Sequence, residues 1–154
     1  MYEALINSNS LIKNMLDSFI RYLFLHQVIK STISNRETKT VSKKDRDMFH
    51  ALKSAQAIEL LTEDLESLEA LYIPGDEKKA VFICSGSLES YEKHAYPIAK
   101  AYLNKGYHVL VFNYRGFGNN LGTPTQEGLI SDAKAAFLFL TENQGFDKEN
   151  IIGH

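Results

Sequence analysis

The sequence is poor in several residue types: its 154 residues include one cysteine, three prolines and no tryptophan. The single cysteine, Cys84, excludes an intrachain disulfide framework and a zinc site built from several cysteines. Cys84 ends the apolar run of residues 81–83, which predicts a buried and inert thiol. The five histidines lack the short spacing of a helical metal motif, so we expect neither a metal nor a cofactor.

Strong charge of one sign and long apolar runs are also missing. The formal net charge is −2, which gives no field that would recruit nucleic acid. The longest apolar run near the N-terminus covers residues 22–25, far short of the roughly 20 residues of a membrane span. No basic region precedes an apolar core, as it would in a secretory signal. The sequence therefore predicts a cytoplasmic protein that binds no nucleic acid.

What the sequence does contain at its start is an amphipathic segment. Apolar residues recur at helical spacing across residues 10–30, among them Ile12, Leu16, Phe19 and Leu23. We expect this helix to pack against the body of the protein or to support self-association. Peripheral contact with a membrane surface stays open, although the polar face is not rich in Lys and Arg. Residues 1–56 are predicted as an N-terminal helical extension, with a second helix from Ser42 through Ala55.

Residues 57–154 alternate predicted strands with turns and helices. The strands, each an apolar or alternating run, cover residues 58–61, 68–73, 80–84 and 108–113, and a last one begins at Ile151. The first two flank a polar turn and predict an antiparallel hairpin. The others are short, continuous apolar runs, which are typical of strands buried on both faces.

Two helices are predicted between these strands. Pro97 suits the first turn of a helix that runs to Asn104 and closes at Gly106. Thr123 and Pro124 suit the cap and the first position of a second helix. Strands that alternate with helices of this length predict an α/β fold with parallel strands and right-handed crossovers, to which the hairpin adds an antiparallel edge.

Three strand ends carry the segments where chemistry is expected, because ligands bind at the carboxyl ends of strands in open α/β sheets. These segments are residues 85–90, 114–122 and 153–154. The second is Tyr114-Arg115-Gly116-Phe117-Gly118-Asn119-Asn120-Leu121-Gly122, and the next helix opens on Pro124-Thr125-Gln126-Glu127-Gly128-Leu129-Ile130-Ser131-Asp132-Ala133. Over residues 58–154 these ordered segments resemble the serine hydrolases of the α/β-hydrolase superfamily.

The resemblance implies a fold and a chemistry. The fold is the N-terminal half of an α/β-hydrolase sheet. The chemistry is hydrolysis of ester, thioester or peptide bonds through an acyl-enzyme, on a small-molecule ester or amide substrate. Gly86 would give a tight turn and Ser87 the backbone N–H of an oxyanion hole, with Ser85 standing where histidine is common. The loop after the fourth strand would contain Tyr114, Arg115, Gly116 and Gly118.

The same resemblance puts the nucleophile just beyond the sequence. Gly153 and His154 fill the first two positions of the G-x-S-x-G elbow, so the serine would be the next residue. The acid and the base that follow the serine in the family's chain order are absent too. We therefore expect a truncated family member that contains no catalytic residue and is inactive alone.

Two other functions stay open. Gly116, Gly118 and Gly122 follow a strand, as in a nucleotide-binding loop, but the helix that would hold a phosphate is delayed past the last glycine. A non-catalytic interaction module that keeps half of the fold is the second alternative. Such a module would leave the strand at Ile151 with an unpaired apolar edge, which a partner would have to cover.

Overall fold

The computed structural model describes residues 47–49, 51–52, 54–84 and 91–154, with only the backbone of residues 92–94. The predicted amphipathic helix of residues 10–30 lies outside the described residues, as do Ser85, Gly86 and Ser87. The division of the chain after residue 56 stays a prediction.

Five strands form one mixed sheet. They are β1 (Gln56–Leu61), β2 (Ser67–Ile73), β3 (Ala80–Cys84), β4 (His108–Phe112) and β5 (Ile151–Gly153), in the spatial order β1-β2-β4-β3-β5. β2 pairs antiparallel with β1 and with β4, whereas β3 pairs parallel with β4 and with β5. The predicted α/β fold, with an antiparallel hairpin at one edge of parallel strands, is confirmed.

The burial of each strand follows its position in the sheet. Every residue of β3 is buried, and in β4 only His108 is partly exposed, because both faces of these strands are covered. β1 lies at the edge of the sheet and fully buries only Leu60, as expected of a strand with one face towards the core. β5 has three residues and, in the part of the chain that the structure describes, pairs with β3 alone.

Helix α1 (Tyr91–Leu103) connects β3 to β4 and begins six residues before the predicted start. Tyr91, Ala95 and Ala99, each one helical turn apart, are buried against the sheet. Pro97 lies inside the helix and not in its first turn, so that prediction is wrong. Pro97 is on the exposed side, and burial of the apolar stripe outweighs the roughly 3 kcal/mol that an internal proline costs. Gly106 ends the helix as predicted, with a φ of +80°.

Helix α2 (Gln126–Leu138) lies between β4 and β5 in the chain and continues as a π-helical turn, Phe139–Asn143. Its N-cap is Thr125, whose hydroxyl accepts a hydrogen bond from the N–H of Gly128 at 3.0 Å. The predicted cap at Thr123 is therefore wrong by two residues. Pro124 packs closely against Gly116, since a Cβ added at Gly116 would lie 2.7 Å from Cδ of Pro124. The helix begins two residues after this contact.

The two helices cover opposite faces of the sheet. On the α2 face the buried cluster includes Leu68, Phe82, Phe112, Leu129 and Leu140. On the α1 face it includes Leu71, Val81, Ile83, Val109 and Val111. Within the described ranges, neither these helices nor any other has the length and apolar character of a membrane span.

Phe49 adds to the core of the α1 face from outside the sheet. Residues 47–49 are helical, and Phe49 is fully buried, with its ring edge-on to those of Tyr91 and Tyr96 at 5.5 and 5.4 Å. The predicted continuation of this helix through Ala55 is wrong, because residues 51–52 already turn and Ser54 adopts a left-handed φ of 75°. This turn redirects the chain into β1.

Candidate active site

The carboxyl ends of the three parallel strands meet at one edge of the sheet. The last residue of β3, Cys84, pairs with Phe112 of β4. On its other side, the N–H of His154 donates to the carbonyl of Phe82 at 3.0 Å, and the N–H of Cys84 donates to the carbonyl of His154 at 3.0 Å. His154 is therefore held beside the point where residues 85–90 leave β3. We call this region the carboxyl edge.

Gly153 precedes His154 and packs tightly against β3. A Cβ added at Gly153 would lie 2.9 Å from Cζ of Phe82, so the position favours a residue without a side chain. His154 is exposed, and its ring meets that of Tyr102 edge-on with centroids 6.0 Å apart. The two residues assigned to the elbow thus lie together at the carboxyl edge, next to α1.

The loop after β4, residues 113–122, closes on itself beside this edge. The N–H of Gly116 donates to the carbonyl oxygens of Asn120 and Leu121 at 3.1 and 3.0 Å. Gly118 has a φ of +59°, and a Cβ there would lie 2.4 Å from Nδ2 of Asn113. Both the backbone conformation and the available space therefore require glycine at position 118.

Two buried asparagines fasten this loop to its neighbours. Oδ1 of Asn113 accepts a hydrogen bond from the N–H of Tyr91, the first residue of α1, at 2.8 Å. Oδ1 of Asn120 accepts one from the N–H of Glu69 at 2.8 Å, and its Nδ2 donates to the carbonyl of Asn113. The loop is thereby bonded to β2 and to α1, the helix that follows residues 85–90.

Replacing Asn120 with alanine is expected to lower the free energy of unfolding by about 1–3 kcal/mol, because the N–H of Glu69 and the carbonyl of Asn113 lose their partner. The adjacent Asn119 makes one exposed hydrogen bond, from Nδ2 to Glu69 at 3.0 Å. Asn119→Ala is therefore a matched control, expected to change stability by less than about 0.5 kcal/mol. Urea denaturation of both variants tests this, and equal losses would contradict it.

Arg115 is nearly buried and binds two carboxylates. Its backbone N–H and its Nε donate to Asp132 Oδ2 and Oδ1, each at 2.9 Å, and Nη2 donates to the same Oδ1 at 2.7 Å. Nη2 also donates to Asp64 Oδ1 at 2.8 Å, while Nη1 donates to Asp64 Oδ2. Arg115 thus joins the loop after β4 to Asp132 on α2 and to Asp64 in the turn of the β1–β2 hairpin.

Ionisation in this network follows its hydrogen bonds. The Arg115 guanidinium, with help from the Thr62 hydroxyl, holds the pKa of Asp64 well below its usual range. Burial raises the pKa of Asp132, and the hydrogen bonds from Arg115 oppose that rise. The hydrogen bonds that Arg115 donates to Asp64 raise the pKa of its guanidinium above the ordinary value. A permanently charged arginine held in this way positions the loop and does not transfer protons.

Cys84 and Tyr114 are buried together at the ends of β3 and β4. Burial raises the pKa of Cys84 to about 12, so the thiol is protonated at neutral pH and a poor nucleophile. The predicted burial of this thiol is confirmed. Burial also raises the pKa of Tyr114 well above its usual value. In the described part of the chain the Tyr114 hydroxyl has no hydrogen-bond partner other than the Cys84 thiol, which is a weak donor and acceptor.

The structure brings together part of the predicted site. Gly153 and His154 share the carboxyl edge with the loop after β4, which contains Tyr114, Arg115, Gly116 and Gly118. Gly86 and Ser87 lie outside the described residues, so their predicted role is untested. Among the residues that the structure does describe, no group of three or more His, Cys, Asp or Glu side chains could hold a metal.

Four residues that organise this edge were not predicted as site residues: Asn113, Asn120, Asp64 and Asp132. Asp132 lies in the segment of residues 124–133, where its signal is an acidic residue on the apolar side of a predicted helix. Asp64 was assigned only to a polar turn. Arg115, the partner of both aspartates, lies 17 residues from Asp132 and 51 residues from Asp64 along the chain. At such separations the spacing of residues in the sequence does not indicate a contact.

Known proteins are similar to this chain in sequence and in fold. Lysophosphatidylserine lipase ABHD12 of Mus musculus is 36% identical over 61 residues, which are 40% of this chain and 15% of the lipase. The crystal structure of an α/β hydrolase from Vibrio vulnificus matches 76% of this chain at 30% identity, with a TM-score of 0.67. The Pyrococcus furiosus esterase Pf2001 matches 77% of it at 26% identity, with a TM-score of 0.61. The chain belongs to the α/β-hydrolase superfamily.

This α/β-hydrolase chain spans less than half the length of the relatives that it matches, with 41% of the Vibrio hydrolase and 48% of the Pyrococcus esterase covered. No protein-family model matches it. Its mixed sheet, with two antiparallel strands followed by parallel strands and crossover helices, is the first part of the α/β-hydrolase architecture. The resemblance stated from the sequence is therefore confirmed at the level of family and fold.

Proposed function

We propose that this chain contributes the N-terminal half of the catalytic domain of a serine hydrolase that cleaves carboxylic esters. The observation that carries the proposal is the position of His154, whose backbone N–H and carbonyl both bond to β3. A serine in the next position would stand at the carboxyl edge, beside the end of β3 at Cys84. The esterase and the lysophosphatidylserine lipase among the similar proteins support esters as the substrate class.

The chemistry would divide between the two halves of such an enzyme. The serine oxygen attacks the ester carbonyl, the alcohol leaves, and water then releases the acid from the acyl-enzyme. From this chain, the backbone N–H of Ser87, after the turn at Gly86, would stabilise the oxyanion. The nucleophile, the base and the acid would all come from residues that this sequence does not contain. The chain alone should therefore have no hydrolase activity.

The test combines the 154-residue chain with the C-terminal half of the Vibrio vulnificus hydrolase, beginning at the elbow serine of that protein. Hydrolysis of p-nitrophenyl butyrate and covalent labelling by a fluorophosphonate are measured on each half and on the co-refolded pair. We expect neither half alone to react, and the pair both to hydrolyse the ester and to carry the label on the donated serine. The same pair with that serine replaced by alanine is the control, and it should be inactive.

The other outcomes discriminate the remaining functions. A label on a serine of the 154-residue chain by itself would contradict its inactivity. A stable complex of the two halves that hydrolyses nothing would favour the non-catalytic interaction module. The nucleotide-binding alternative predicts that a dinucleotide raises the melting temperature of the chain. We expect no such shift, because three residues separate Gly122 from the start of α2 and the glycines do not open the helix.

A further inference from the structure

None of the described residues covers the α1 face of the sheet at β1. Side chains alternate along a strand, and Leu60 packs into the core of the α2 face. Ala57, Glu59 and Leu61 therefore lie on the α1 side, and all three are exposed. Leu61 is 65% exposed.

The uncovered region continues onto β2. Leu71 is buried in the core of the α1 face, but Ser67 and Glu69, nearer the hairpin turn on the same side of β2, are exposed. Ser67 lies opposite Leu61 in the antiparallel register, and Glu69 lies opposite Glu59. We call the five exposed side chains on this side of the two strands the hairpin face; they are Ala57, Glu59, Leu61, Ser67 and Glu69.

The hairpin face concentrates negative charge. Two glutamates directly opposite each other on antiparallel strands repel and destabilise the pair. Ser67 donates a hydrogen bond to Glu59, and Asn119 donates one to Glu69, but neither donor is charged. Among the described residues, neither glutamate forms an ion pair. An exposed leucine beside two unneutralised carboxylates is suited to a partner with cationic heads and aliphatic stems.

A segment with such side chains precedes Phe49 in the sequence. Phe49 is buried in the same cluster as Leu71 on the α1 face. Glu69 lies two residues along β2 from Leu71, which is about 7 Å. Lys44 lies five residues before Phe49, a distance of at most about 18 Å in an extended chain. The chain between Lys44 and Phe49 can therefore span more than the distance from Leu71 to Glu69.

The charges of the two regions are complementary. Residues 36–46 contain three lysines and two arginines against two acidic residues, and they lie directly before the helical residues 47–49. The hairpin face contains two glutamates and no lysine or arginine. Lysine stems also cover apolar surface while their ammonium groups bind carboxylates.

We propose that residues 36–46 of this chain dock on the hairpin face, with Lys43 and Lys44 over Glu59 and Glu69. The lysine stems then cover Leu61, and the like-charge pair across the hairpin is neutralised. This docking does not depend on the proposed hydrolase function, because it requires only the 154-residue chain itself.

The test reverses the charges on each side of the proposed contact in the full chain. One variant carries Glu59→Lys with Glu69→Lys, a second carries Lys43→Glu with Lys44→Glu, and a third carries all four changes. Backbone hydrogen exchange in residues 36–46 is the measurement. We expect the exchange rate in residues 36–46 to rise about threefold in each of the first two variants, because that is the effect of losing an exposed ion pair. In the third variant the rate should return towards that of the unaltered chain. One molar salt should raise exchange in the unaltered chain.

Glu142→Lys with Glu149→Lys is the matched control, because both residues are exposed and follow α2, away from the hairpin face. It should leave exchange in residues 36–46 unchanged. Amides of β3 and β4 report in the same experiment that each variant is folded. Unchanged exchange in the first two variants, or effects that add in the third, would overturn the proposal. Protection that depends on protein concentration would also overturn it, since a second copy would then occupy the face.

Discussion

Replacing Asp132 with alanine is expected to lower the free energy of unfolding by about 3–5 kcal/mol, as for the loss of one partner from a buried ion pair. Asp132 is fully buried and accepts three hydrogen bonds from Arg115. Without it, the backbone N–H and Nε of Arg115 have no acceptor, and the guanidinium keeps only Asp64. Urea denaturation of the 154-residue chain, followed by circular dichroism, measures the loss.

Asp64→Ala is the matched comparison, because it removes the other carboxylate from the same arginine. The Asp64 side chain is 50% exposed, so water can reach the guanidinium N–H groups that its removal frees. We expect a loss of about 1 kcal/mol, as for an exposed ion pair. If the two variants lost the same free energy of unfolding, burial would not determine how much each carboxylate stabilises the fold.

The Asp132 variant should also loosen the carboxyl edge. Arg115 lies in the same loop as Asn113 and Asn120, which bond to α1 and to β2. In the Asp132→Ala variant, we therefore expect faster hydrogen exchange at the N–H of Tyr91, whose acceptor is Asn113. Such a result would couple the Arg115 network to the start of α1, the helix that follows residues 85–90.

The sequence predicted the sheet more accurately than the helix starts. The strand Ala80–Cys84 was predicted to the residue, because a short, continuous apolar run between polar turns is typical of a strand buried on both faces. The start of α1 was missed because Pro97 is also a common first residue of helices, and tertiary burial of Tyr91 and Ala95 extends the helix beyond it. The cap of α2 was predicted two residues too early, since threonines flank Pro124 on both sides and the local sequence does not distinguish them.

The site was predictable only where its residues are consecutive. The loop at Arg115 and the pair Gly153 and His154 were assigned from ordered motifs, and the structure places both at the carboxyl edge. The bonds from Arg115 to Asp64 and Asp132 join residues far apart in the chain, so no local pattern indicates them. The role of Asn113 depends in the same way on the folded position of α1.

Phe49→Ala is expected to lower the free energy of unfolding by about 3–5 kcal/mol, the cost of deleting a fully buried aromatic side chain. Phe49 has no exposed surface and contacts the rings of Tyr91 and Tyr96 edge-on. Phe49→Leu keeps most of the buried volume, so its loss should be smaller, at roughly 1.5 kcal/mol or less. Met48→Ala, at the partly exposed neighbouring position, is the control for a general effect of the helical turn.

This measurement also decides where the folded domain begins. The N-terminal extension was predicted to end at residue 56, with the residues before β1 forming a separate helical part. A large loss at Phe49 would place residues 47–49 within the cooperative unit of the sheet, because only a side chain that is buried in the folded state can cost so much to remove. Residues 1–46 would then be connected to the folded domain at the α1 face, where Phe49 is buried. Equal midpoints for Phe49→Ala and the unaltered chain would instead support a domain that starts at residue 57.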